Sequence, residues 1–115
     1  MSRKVSAVTT KSTTTKETIL TVPTKNTGLW QLMYIISLTG NDTPKVYWYD
    51  SSTNTEYFIV GGKNLGAGEF IILDGNTEVV LQAGDEIRVE NSGTQTVTYI
   101  ATVEFMPEMA VQFQF

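Results

Sequence analysis

The chain is 115 residues long, enough for one domain that buries a core without metals or cross-links. It contains no Cys and no His, which excludes disulfides and thiolate sites and removes the commonest metal ligand and general base. Arg3, Lys4, Lys11 and Lys16 give residues 1–16 a charge of +4, so against a total of −4 the remainder carries −8.

An acidic body argues against nucleic acid as a partner. No run approaches the ~18 apolar residues of a membrane span. Thr and Ser stand where a signal peptide would carry its apolar stretch, so neither membrane insertion nor an export signal is expected.

In chain order, residues 1–16 (MSRKVSAVTTKSTTTK) hold few apolar side chains beyond Val5, Ala7 and Val8. They predict a flexible basic arm whose cations Arg3, Lys4, Lys11 and Lys16 dock on an acidic surface of another protein. Lys16 to Thr24 predicts the first strand, with Leu20 and Val22 on one face and Pro23 stopping it or holding it at an edge. Leu29 to Thr39 predicts a second. Trp30, Leu32, Tyr34, Ile36 and Leu38 alternate along one face, and Met33 and Ile35 make part of the other apolar. A strand apolar on both faces is central or covered by a neighbouring chain.

Lys45 to Asp50 and Thr55 to Val60 predict a hairpin across Ser51 to Asn54. Gly61 to Gly68 is a Gly-rich crossing between sheets; no Lys-Ser or Lys-Thr pair and no helix follows, so it is not a phosphate loop. Glu69 to Leu73 and Glu78 to Leu81 flank Asp74-Gly75-Asn76, a tight-turn sequence. The closing stretch runs Val79 and Leu81, then Gln82-Ala83-Gly84-Asp85, then Ile87 and Val89. Asn91-Ser92-Gly93 leads into Val97, Tyr99, Ala101, Val103 and Phe105 at period 2. The sum is all-β, an antiparallel β-sandwich of jelly-roll type over residues 17–106 with about eight strands. Residues 107–115 add a C-terminal strand in which Met109, Val111, Phe113 and Phe115 are apolar. It folds over its own sheet edge or pairs with a neighbouring subunit, the reading preferred here because an exposed apolar strand invites association.

Carboxylates are the only candidate catalysts. Asp85 and Glu86 follow Gly84, Asp74 and Glu78 flank a turn, and Asp42 and Asp50 sit in loops. Each is better explained as a turn former, Asp85 capping its turn by accepting from backbone N–H groups. No stretch has the oxygen spacing of a Ca²⁺ loop. No catalytic residue, metal or cofactor is therefore expected, and the chain reads as no enzyme. The aromatic hairpin is the richer feature. Tyr47, Tyr49 and Tyr57, beside Trp48 and Phe58, suit a protein interface or a glycan-stacking surface.

The Thr-rich lead, Thr18-Ile19-Leu20-Thr21, the Trp30–Leu38 strand, Lys45 to Asp50 and Leu81-Gln82-Ala83-Gly84-Asp85-Glu86-Ile87-Arg88-Val89 together resemble the small jelly-roll virion proteins of tailed bacteriophages. The likeness is especially to structural proteins of phages of cyanobacteria and marine bacteria, and it spans roughly residues 10–106. It implies a virion component, often trimeric, that binds the capsid or the tail. The expected function is a capsid decoration (cement) protein that binds the major capsid protein and stabilises the head. The alternative is a neck, tail or tail-fibre component with a glycan-binding aromatic hairpin.

Overall fold

The structure, a computed structural model, describes residues 2–74 and 79–108. Its described residues form nine strands, all paired antiparallel, in two sheets. The first sheet holds β1 (Arg3–Lys11), β9 (Val97–Pro107), β3 (Asn26–Ser37) and β6 (Phe70–Leu73) in that spatial order, with β7 (Val79–Leu81) also on β3. The second holds β2 (Glu17–Thr21), β8 (Glu86–Glu90), β4 (Lys45–Asp50) and β5 (Thr55–Val60). The chain alternates between the sheets at almost every connection, and this order is that of a jelly roll.

The strand beyond the eight expected is β1, while β6 and β7 were both expected and differ in their pairing. β6 pairs with Met33–Ile36 and β7 with Gly28–Trp30, both running the same way along one edge of β3. They are two halves of one interrupted strand. The hairpin suggested by Asp74-Gly75-Asn76 is not the pairing found, because β3 is long enough to offer both segments the same free edge. The Lys45–Asp50 and Thr55–Val60 hairpin does form as expected.

The N-terminal segment differs most from expectation. Residues 3–11 are not a flexible arm but a strand, paired with β9 in unbroken register from Arg3↔Phe105 to Lys11↔Val97. Val5 and Ala7 point inward and pack on the core. Two apolar residues suffice because β9 supplies a full ladder for the backbone groups, which burial alone would not satisfy. Lys11 ends the strand buried, its Nζ donating to the carbonyls of Thr13 (3.2 Å) and Thr15 and so bracing the turn into β2.

The core lies between the sheets. From β9 it receives Val97, Tyr99, Ala101, Val103 and Phe105, the period-2 set read from the sequence. Ile87 and Val89 of β8 and Val46 of β4 oppose them. In β3 the expected face breaks at a bulge between Trp30 and Leu32. Trp30 points inward, but beyond the bulge Met33, Ile35 and Ser37 do so instead. One extra residue reverses a period of two, so Leu32, Tyr34 and Ile36 end on the outer face.

Tyr99 is fully buried and donates its hydroxyl to Asn91 Oδ1 at 2.6 Å, while Asn91 Nδ2 donates to the carbonyls of Lys11 (2.9 Å) and Gln95 (3.0 Å). This ties the end of β1 to the β8–β9 turn. Burial, reinforced by Asp42 and Glu90, pushes the Tyr99 hydroxyl far above its ordinary value, so it remains a donor. Tyr99→Phe leaves Asn91 Oδ1 without a partner and is expected to cost about 1–2 kcal/mol in urea unfolding. An unchanged midpoint would show that the bond contributes nothing.

Candidate functional site

The two best-placed carboxyl groups are occupied by structural work. Asp85, fully buried, accepts from Ser51 N–H (3.0 Å), Ser51 Oγ (2.9 Å), Gln82 N–H (2.9 Å) and Trp48 Nε1 (3.1 Å). It caps its own turn as expected and also fastens that turn to the β4–β5 loop. Gly84, at φ +89°, makes the turn; a Cβ there would stand 3.0 Å from Ser51 Oγ. Asp42 accepts from the N–H groups of Ser92 (2.9 Å) and Gly93 (3.0 Å), joining the β3–β4 and β8–β9 connections. No group of three or more carboxylates able to hold a metal ion occurs among the described residues.

The outer face of the second sheet carries an ionic network, with Phe58 exposed beside Tyr47. Lys16 Nζ and Arg88 Nη1 hold the two oxygens of Glu56 at 2.8 and 2.7 Å, and Arg88 Nε reaches Glu86 at 2.8 Å. Lys16 lies 4.2 Å from the Tyr47 ring centre and Arg88 3.8 Å from that of Tyr49. Tyr47 also donates to Glu90 at 2.6 Å, and burial followed by that bond raises its hydroxyl well above the usual value. The rings proposed for glycan stacking are thus already faced by cations. Tyr57 belongs to the opposite side of the hairpin, with its ring centre 5.3 Å from that of Trp48 and 46% of its surface exposed. The three tyrosines do not form one surface.

Burial alone would raise the Glu56 carboxyl, but hydrogen bonds from Lys16 and Arg88 outweigh it and hold the group below the ordinary 4.5. A depressed folded value stabilises the fold above 4.5 and loses that contribution as pH falls through the folded value. Glu56→Gln is therefore expected to cost about 1 kcal/mol at neutral pH. In denaturant titrations the difference from wild type should close under acid conditions; a constant difference would locate the effect in packing.

The outer face of the first sheet has the opposite character. Cross-strand partners place Val8, Ile100, Tyr34 and Ile72 in one row across β1, β9, β3 and β6. Thr10, Thr98, Ile36 and Phe70 form the next row, and Ser6, Thr102 and Leu32 the row on the other side. Val8 is 61% exposed, Phe70 55% and Ile72 46%. On the β1–β9 half the hydroxyls bond one another, Ser6 to Thr102 and Thr10 to Thr98, each at 2.8 Å. On the β3–β6 half Tyr34 and Phe70 contact at 5.8 Å between ring centres. Charge enters at one end, with Lys4 opposite Glu104, and at Asp74, which follows β6 beside Leu32.

The cations expected to dock an arm are dispersed. Arg3 turns inward over the Phe105 ring at 5.6 Å, Lys11 is buried, and Lys16 pairs with Glu56. Only Lys4 stands on the open face. Met109, Val111, Phe113 and Phe115 lie outside the described residues. An apolar cleft of about 360 Å³ opens where β6 gives way to β7, lined by Trp30, Met33, Ile59, Leu73 and Val79.

The sequence did announce the apolar face, through a β3 apolar on both sides, but put Leu32, Tyr34 and Ile36 on the same face as Trp30. Phe70 and Ile72 stand in the continuously apolar run Phe70 to Leu73, which by itself marks no face. No protein-family model matches the chain, and no curated protein matches its sequence.

Proposed function

We propose that this chain is a non-enzymatic structural protein of a tailed-phage virion, a capsid decoration protein that binds the major capsid protein and stabilises the head. The observation that carries the reading is the outer face of the first sheet. A face that exposes Val8, Phe70 and Ile72 with no charge at its centre is costly in water and suited to being covered in an assembly. The jelly-roll fold agrees with the virion resemblance, and the Leu81–Val89 stretch behind that resemblance is the turn clamped by Asp85. Repetition of one modest contact over a symmetric shell would supply avidity. Tyr47 and Tyr49, faced by Lys16 and Arg88, lend no support to glycan recognition.

The test uses heads assembled without this protein, to which the purified full chain is added back. Saturable binding and a higher melting temperature of the heads are expected. Heads that neither bind it nor gain stability would overturn the head role.

A further inference from the structure

We propose that the outer face of the β1-β9-β3-β6 sheet is occupied by a second copy of this chain, in a two-fold dimer whose axis runs along the row Val8, Ile100, Tyr34 and Ile72. The inference rests on the assembly role proposed above and commits the occupant of that face.

Self-complementarity is what singles out a second copy. With the axis along that row, each of its four residues meets its own counterpart, and every row above meets the matching row below. The row Thr10, Thr98, Ile36 and Phe70 then faces Ser6, Thr102, Leu32 and, just past the end of β6, Asp74. Hydroxyl falls on hydroxyl over the β1–β9 half, and Ile36 falls on Leu32 over the β3 half. The outermost rows match too. Lys4, Glu104, Leu29 and Val80 at one end face Ser12, Thr96 and Leu38 at the other. Lys4 and Glu104 therefore meet uncharged side chains, never their like. An axis parallel to the strands would instead lay Phe70 on Thr10 and Ile36 on Thr98, apolar on polar.

Charge and area agree. The chain carries −4 overall, yet this face is neutral through its centre, whereas the other sheet's outer face carries the Lys16, Glu56, Arg88 and Glu86 network. Four strands about 4.8 Å apart and nine residues of about 3.3 Å rise give roughly 600 Å² of projected sheet. With side-chain relief this approaches the ~800 Å² per partner of a standard interface. An axis along this row sets the facing strands antiparallel, within the range of aligned sheet packings.

Val8, the most exposed member of the axial row, provides the test. Val8→Lys and Val8→Glu each place like charges opposite one another, at a position exposed enough that folding should not suffer. Sedimentation equilibrium of the full chain should show a dimer. Each variant should weaken it at least about 100-fold, while an equimolar mixture of the two should restore association, because a residue on the axis meets its own copy. Circular dichroism verifies that both variants fold. A wild-type monomer at about 100 µM, a trimer, or a dimer indifferent to both variants would overturn the proposal; the micromolar scale is that of a weak specific contact. A wild-type monomer that still saturates heads would sink the dimer and leave the capsid reading standing. A dimer that ignores heads would do the reverse.

Discussion

Asp85→Ala is expected to lower the unfolding free energy by about 4 kcal/mol, a large part of the 5–15 kcal/mol that a domain of this kind possesses. The carboxyl group is fully buried and receives four hydrogen bonds, so its removal strands three N–H donors, those of Ser51, Gln82 and Trp48 Nε1. Each buried donor left unmatched costs about 1–3 kcal/mol. The same turn holds Val22, which accepts from Gly84 N–H at 3.0 Å and donates to the Asp85 carbonyl at 2.9 Å, so the loss spreads to the end of β2. Asp85→Asn separates acceptor loss from shape. Its remaining oxygen can serve Ser51, but its amide would face the Gln82 and Trp48 donors, and a cost of about 2–3 kcal/mol follows. Chemical denaturation with tryptophan fluorescence measures both. A loss below 1 kcal/mol for the alanine variant would show that water replaces the carboxyl, an outcome at odds with the enclosed site.

Deleting residues 2–11 is expected to have the largest effect of all. The segment supplies the whole of β1, with nine consecutive residue pairings to β9. Its loss would bare one edge of the strand that carries Val97, Tyr99, Ala101, Val103 and Phe105 into the core, and would remove the Lys11 carbonyl that Asn91 holds. An uncovered central strand is both destabilised and a template for aggregation. The truncated chain should be insoluble or lack a cooperative thermal transition. A soluble truncation with an unchanged melting temperature would restore the flexible arm. The tested segment carries three of the four N-terminal cations expected to dock on a partner, so the same variant tells a docking arm from a structural strand.

The hairpin of Lys45–Asp50 with Thr55–Val60 was legible because its turn is local, and so was the core face of β9, an uninterrupted period-2 run. The Asp85 turn cap was legible for the same reason, although its reach to Trp48 and Ser51, more than thirty residues upstream, was not. β3 was half legible. Its residues were identified as strand, but a bulge at Gln31 leaves no mark in an alternating pattern and inverts every side chain beyond it. The apolar outer face was therefore visible as surplus hydrophobicity and invisible as a surface.

By itself the sequence determined the all-β class, the two-layer architecture and the absence of Cys and His chemistry, since alternation, turn residues and composition act over a few residues at a time. Only the tertiary structure decided that Arg3–Lys11 is a strand, that β6 and β7 share one edge of β3, and that Val8, Ile100, Tyr34 and Ile72 form one row. Those facts are pairings between distant residues. A segment too polar to fold alone becomes ordered when a neighbour completes its backbone hydrogen bonds, and which neighbour does so is a property of the assembled sheet.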